Sequence, residues 1–448
     1  LNDQNRQIGL IGLGVMGRNL AMNLRDHGTA VHCWDPWAKA RDWQAENINI
    51  HDALAGMVDA LSAPRMIIVL VKAGEPVDAA VEQLRLLLKP DDAIIDCGNS
   101  HFGNTQRRSE ALSPSGLHFA GIGVSGGAEG ARHGPAMMAG CDETVWQRLR
   151  LLFEPIAART ADGEPCVGWY GTDGAGHFVK MVHNGVEYAV MQAISETCHA
   201  LHFGGGLPHD QISDLLAGTD QGYLVEITRE ILTTTDADDG LPLIDRIGDD
   251  AGQKGTGGWC VEASMQLGAP VPVIAEAVAQ RQLSSGASRG RDRPVPKGLP
   301  VEAFGMVGPA LDAATAVALQ QGFGLAQAAS AEHDWQITAA GMAAAWRAGS
   351  ILRMPVLDDI LRGKDDLDPL LEMIDRGLPA LRAFTVAAQQ ARQPVPVLAS
   401  ALAWADARDL GVLPTRMVQA QRDRFGDHGF RRTDRPGTHH GPWNRTGA

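Results

Sequence analysis

Five side chains between residues 174 and 188 share the spacing of one helical face. Lys180, His183, Asn184, Glu187 and Tyr188 fall at i, i+3, i+4, i+7 and i+8, so a helix opening after Thr172-Asp173 presents them together. At 1.5 Å per residue, Lys180 and Glu187 stand ~10 Å apart along its axis. Val179, Val182, Val186 and Val190 take the neighbouring positions and supply apolar packing. An amine and a carboxyl group with three hydrogen-bonding companions suit proton transfer at both ends of a small polar substrate. A solvated stripe beside core valines has the same spacing, so this helix alone leaves both readings open.

The elements around it narrow the choice. Through residue 175 the chain alternates strand and helix patterns: strands at Gln7–Ile11, Ala30–Trp34, 66–71, Ala93–Asp96 and 118–124, helices at 15–27 and 77–88. Continuous apolar runs such as Ile67-Ile68-Val69 mark strands buried on both faces. This order predicts an α/β fold, a Rossmann-like doubly wound parallel sheet over residues 1–175. Residues 176–430 hold long Ala/Leu/Gln-rich segments, among them 310–332 and 379–408, the latter interrupted by Pro394 and Pro396, and predict a large all-α domain. Residues 284–300 read as a loop. The basic, Gly/Pro-broken stretch 431–448 reads as an extended C-terminal tail.

Gly12-x-Gly14-x-x-Gly17 lies between the first strand and the first helix, the setting in which such glycines admit a pyrophosphate to a helix N-terminus. Asp35 closes the second strand, where an acid accepts from an adenosine ribose and repels a 2′-phosphate; it could equally cap a turn with Pro36. Three later strands also end in small polar loops: Val71-Lys72-Ala73-Gly74, Asp96-Cys97-Gly98-Asn99-Ser100 and Ser125-Gly126-Gly127. In an open parallel sheet these converge on the nicotinamide end of a dinucleotide. Gln253-Lys254-Gly255-Thr256-Gly257-Gly258, with a helix expected near Trp259, can cradle a phosphate or serve as a flexible loop. Arg281 and Arg422 are lone arginines in helical contexts, compatible with surface charge.

Composition excludes several classes. A net charge of −14 over 448 residues, with the cations clustered only in one loop and the tail, does not fit a nucleic-acid binder. No uninterrupted apolar run of ~18 residues suggests a membrane span, and no secretory leader is visible, so a cytoplasmic protein is expected. The six cysteines are scattered and read as reduced thiols. No histidine spacing resembles a metal motif, His439-His440 included, and no metal is expected.

Taken together, these segments resemble the decarboxylating 6-phosphogluconate dehydrogenases, of the β-hydroxyacid dehydrogenase superfamily, over essentially the whole chain. The resemblance is carried by Gly12-Leu13-Gly14-Val15-Met16-Gly17, 71–74, 98–100, 123–127, the block 173–188, 251–257 and 419–426. It implies oxidation of 6-phosphogluconate at C3, loss of CO₂ and formation of ribulose 5-phosphate in the pentose phosphate pathway. Lys180 would be the general base and Glu187 the acid. Substrate contacts would come from Asn99, Ser125, Gly126, Gly127, His183, Asn184 and Tyr188, and phosphate contacts from Tyr188, Lys254, Thr256 and Arg281. Arg422 and His428 would reach the site from the partner subunit of a homodimer, with the tail threading that partner. Gly12, Leu13, Gly14, Val15, Met16, Gly17, Asp35, Pro36, Trp37, Val71, Lys72, Ala73 and Asn99 would hold the cofactor.

Two departures matter. Where NADP-using members carry Asn-Arg-Thr, this chain has Asp35-Pro36-Trp37, which removes the arginine for a 2′-phosphate and favours NAD over the family's usual NADP. Ala128-Glu129 replaces an acidic pair. The competing readings are a non-decarboxylating dehydrogenase of the 3-hydroxyisobutyrate kind and a non-catalytic dinucleotide sensor. The first lacks segments like 253–257 and 419–423, and the second does not need Lys180 and Glu187.

Overall fold

A computed structural model describes residues 6–37, 48–219, 222–253, 255–286, 294–363 and 366–444. The strands are β1 (Gln7–Ile11), β2 (Ala30–Trp34), β3 (Asn49–Ile50), β4 (Met66–Val69), β5 (Ala93–Asp96), β6 (His118–Ser125), β7 (Ala136–Gly140) and β8 (Val167–Trp169). They form one sheet in the order β3-β2-β1-β4-β5-β6-β7-β8. The strand order reverses at β1/β4, which opens a crevice beyond their carboxyl ends. Buried Ile, Val, Leu and Met side chains fill both faces of the sheet, which explains the continuous apolar runs.

The sheet departs from an all-parallel expectation at one pair: β7 runs antiparallel to β6. The connection through 126–135 holds a single short helix, Gly127–His133, too little chain for the crossover that a parallel neighbour requires. The strands β3, β7 and β8 were not apparent in the sequence. β3 spans two residues, β7 is Ala-Met-Met-Ala-Gly and β8 is Val-Gly-Trp, all short and poor in β-branched residues.

The helix Ala175–His199 lies against β6 and β7, and two glycines permit the approach. A side chain at Gly176 would run into the carbonyl oxygens of Met138 and Gly121 and sit 2.6 Å from Gly140 N. One at Gly123 would strike the Lys180 Cβ and sit 2.9 Å from Gly176 O. The backbone contact these glycines allow sets where Lys180 emerges. Beyond this helix the chain is helical, as expected, including Thr256–Leu267, Pro272–Ser285, Val307–His333, Asp368–Gln390 and Pro396–Asp409. The segment 379–408 is divided between two helices at Pro394 and Pro396, the interruption its sequence implies. Val301–His333 is long and apolar enough to cross a membrane, but here it is a core segment: Val307–His333 packs on Ala175–His199 and Asp368–Gln390. Buried Glu196 accepts from Val397 N (3.0 Å) and Leu398 N (3.1 Å), so it caps Pro396–Asp409 from the helix Ala175–His199.

Leu1–Ala401 is one compact unit and Leu402–Ala448 another. Within the second, the described part of the tail is extended backbone turned back on itself: Phe430–Arg431 pairs antiparallel with Thr438–His439. Buried Asp423 closes that turn by accepting from Gly429 N (3.0 Å), His440 Nδ1 (2.8 Å), Gly441 N (2.8 Å) and Trp443 Nε1 (2.9 Å). Burial raises the Asp423 pKa, and these donors outweigh it, leaving the carboxyl below its usual range. All six cysteines are free thiols, and burial raises every one, Cys33, Cys141, Cys198 and Cys260 to about 12.

Candidate active site

The glycine loop has the shape a dinucleotide needs. Gly12 is at φ +97°, and a side chain there would sit 2.5 Å from Leu70 O. A side chain at Gly17 would enter the Gly12 carbonyl, whereas at Gly14 there is open space within 4 Å. Gly14 thus leaves room for a phosphate at the N-terminus of Val15–Asp26. Val15 and Trp37 are exposed beside it, Trp37 by 87%. Asp35 Oδ2 accepts from Leu13 N at 2.8 Å and Oδ1 from Trp37 N at 2.9 Å. Asp35 follows β2 and, through these two bonds, organises the turn at Pro36, as the turn-cap reading expects.

Two further loops line the sheet's carboxyl edge. Val71, Lys72 and Ala73 follow β4, and exposed Asn99 follows β5. These loops are held by Asp96, the first residue of the second loop, and by Arg108, which the sequence did not single out. Asp96 accepts from Ser100 Oγ (2.6 Å) and Gly98 N (2.9 Å). Buried Arg108 donates to Gly74 O (3.2 Å) and Asp78 (2.9 Å) and lies 3.5 Å from Asp96. Their pairing has no motif, because it exists only through space.

Facing these loops, Ala175–His199 brings its polar stripe together in a buried setting, not a solvated one. Lys180 and Asn184 are 7% and 8% exposed, and His183 is fully buried. Lys180 Nζ donates to Asn184 Oδ1 at 2.7 Å and lies 3.3 Å from His183 Nδ1. His183 Nε2 lies 3.3 Å from Ser125 Oγ, and its Nδ1 is 3.6 Å from Glu187 Oε2. Burial lowers the Lys180 pKa to about 8, against the opposing charge of Glu187. Burial likewise raises the Glu187 carboxyl, offset by Lys180 and Arg281. Burial and the Lys180 charge push His183 well below its ordinary value, which favours the neutral ring. The face thus holds an amine and a carboxyl group displaced toward each other in pKa. Gly126 and Gly127, both at positive φ, carry the chain from Ser125 into the next helix, where Ala128 and Glu129 are exposed.

At the next turn Tyr188 meets Arg281. The Arg281 guanidinium stacks 3.6 Å from the Tyr188 ring centroid, and its Nη1 donates to Gly252 O at 3.1 Å. A side chain at Gly257 would sit 2.7 Å from Tyr188 Cδ2, so Gly257 seats the other side of the region against that ring. Thr256, buried, opens the helix Thr256–Leu267, three residues earlier than expected. Lys254 lies outside the described residues. Arg422 and His428 belong to the other compact unit. Arg422 is exposed on Thr415–Gly426 with Nη1 3.3 Å from Gln419 Oε1, and His428 sits at 6.0 Å from the Phe425 ring.

Comparison with known proteins gives one answer along the whole chain. Residues 7–171 match the family described as the NAD binding domain of 6-phosphogluconate dehydrogenase, and residues 176–443 match its C-terminal domain. The chain is 40% identical to the decarboxylating 6-phosphogluconate dehydrogenase of Schizosaccharomyces pombe, covering 94% of this chain and 91% of that protein. It is 39% identical to the NADP(+)-dependent decarboxylating enzyme of Bacillus subtilis, over 98% of this chain and 99% of that protein. Among solved structures, that of Plasmodium falciparum 6-phosphogluconate dehydrogenase, described in apo form and with NADP+ and with 6-phosphogluconate, matches with a TM-score of 0.90 at 31% identity. It covers 98% of this chain and 100% of that one. Matched in both halves and over nearly the full length of its relatives, the chain belongs to the 6-phosphogluconate dehydrogenase family.

Proposed function

We propose that this chain catalyses the oxidative decarboxylation of 6-phosphogluconate to ribulose 5-phosphate and CO₂. The observation that carries the reading is the buried face on which Lys180, brought to about 8, and Glu187, raised by burial, flank neutral His183. A bound nicotinamide dinucleotide supplies the hydride acceptor. Neutral Lys180 takes the proton of the C3 hydroxyl as the C3 hydride departs, leaving a 3-keto acid. Protonated Lys180 then donates to that carbonyl oxygen, which accepts the electron pair of the breaking bond to the carboxylate. Glu187 protonates the resulting enediol at C1. Asn99, Ser125, Gly126, Gly127, His183 and Asn184 hold the acid end, while Tyr188, Lys254, Thr256 and Arg281 take the phosphate. Residues 1–175 serve the dinucleotide and 176–430 the substrate.

The same reading assigns NAD as the preferred cofactor. Asp35 is pinned by two backbone amides at the end of β2, so its negative charge cannot swing away from an incoming 2′-phosphate. Pro36 and Trp37 supply no cation there, and Lys39 and Arg41 lie outside the described residues. A homodimer completes the site, with Arg422 and His428 of 402–448 meeting the partner's substrate and 431–448 reaching across. The exposed Met417, Val418 and Phe425 on the same helix as Arg422 support such a surface. A trianionic substrate does not cross a bilayer unaided, which favours a cytoplasmic enzyme. Steady-state assays with 6-phosphogluconate and either NAD or NADP, with CO₂ followed, test the whole reading. CO₂ release with the higher kcat/KM for NAD is expected. Hydride transfer without CO₂ would reject the decarboxylase, and a marked NADP preference would reject the role given to Asp35.

A further inference from the structure

We infer a second site, for a zinc-class divalent cation, built from His202, His209 and Asp245. The three come from different elements: the π-turn Ala200–Gly204 that ends the catalytic helix, the first residue of the helix His209–Leu216, and the 3₁₀ turn Leu243–Arg246. Their spacing in sequence follows no metal motif, so only the fold brings them together. One donor atom from each lies within 4.8 Å of the other two. The site is distinct from the reaction centre, since the nineteen residues from Lys180 to His199 span roughly 29 Å of helix axis.

The donors are already oriented. His202 Nδ1 is 2.8 Å from Leu207 O, and as a donor to that carbonyl it leaves Nε2 as the lone-pair nitrogen, the arrangement that prepares an imidazole for a metal. The His209 ring stacks on it at 4.2 Å and 15°, which sets the two imidazoles side by side. His209 Nε2 is 2.9 Å from Asp245 Oδ1, so these two donors already face each other where an ion would sit. Tetrahedral ligation at ~2.0–2.2 Å places donors roughly 3.4 Å apart, so closure needs about an ångström of movement, which half-exposed Asp245 can supply. Two imidazoles and one carboxylate select zinc and its neighbours over magnesium or calcium. A bound ion would tie the end of the catalytic helix to the segment that leads into residues 252–257.

A second cluster, Asp423, Asp427 and His440, offers less, because Asp423 already serves four donors. Titration of the untagged, chelator-treated full-length protein with Co²⁺ distinguishes the two. The expected result is a single equivalent with tetrahedral visible bands, displaced by Zn²⁺ and retained in His440→Gln. His202→Gln and Asp245→Asn should each lose it. Asp245→Asn alters an exposed side chain, so an unchanged circular dichroism melting profile without metal keeps the result interpretable. Wild-type protein that takes up no Co²⁺, or wild-type uptake by either His202→Gln or Asp245→Asn, overturns the site.

Discussion

Lys180 is an amine held where its charge is disfavoured, and this makes its proton available for exchange near neutral pH. kcat/KM should therefore rise with pH and level off above about 8, the value to which burial brings this side chain. Lys180→Arg keeps the charge at every accessible pH and should lose turnover together with that limb, while Lys180→Ala should lower kcat about 10²–10⁴-fold and spare cofactor binding, read by fluorescence titration. The sign for stability is the reverse of the usual lysine pairing. The folded pKa lies below the unfolded one, so between about 8 and 10.5 the unfolded chain binds the extra proton and stability rises with pH. Below that window the buried ammonium is a standing cost. Lys180→Met should accordingly raise Tm at pH 7 while abolishing turnover, and a lowered Tm would refute the burial penalty.

At the scale of elements, the helix Ala175–His199 is placed by missing side chains. Gly176→Ala should destabilise the fold by about 1–3 kcal/mol in urea unfolding, although alanine favours helices, because the new methyl meets backbone on three sides. An unchanged midpoint would mean that the helix has slack against the sheet. Much of this layer is legible in the sequence. The 3.6-residue period gave the face of Ala175–His199, and the long apolar strands gave the sheet and its ligand edge. The antiparallel turn at β7 was hidden because a short Ala/Met run carries no direction, and the Asp96–Arg108 brace was hidden because it links residues from a strand and the following helix. For Asp35 the sequence alone leaves a ribose ligand and a turn cap open, and its two backbone bonds account for the cap. Glu196 gave no signal at all. Burial lifts it to about 7 despite the Val397 and Leu398 amides. The folded state therefore holds its proton over a range where the unfolded chain has released it, and stability contributed by Glu196 falls as pH rises from about 4.5 to 7. Glu196→Gln should flatten the slope of Tm against pH across that interval.

For the whole molecule, a net charge of −14 surrounds a site meant for an anion, so cations must be gathered locally. Arg281 is gathered within Leu1–Ala401, and the proposed contribution of Arg422 makes assembly part of catalysis. Mixing Lys180→Ala with Arg422→Ala protein, after dissociation and reassembly, should restore turnover that neither shows alone; no recovery would argue against shared sites. The thiols bear on how the molecule meets its surroundings. Iodoacetamide and peroxide act on thiolates, and none of the six sulfurs gives one up readily. This is a dehydrogenase that should keep working through an oxidative burst that silences enzymes with an ionised sulfur in their active sites.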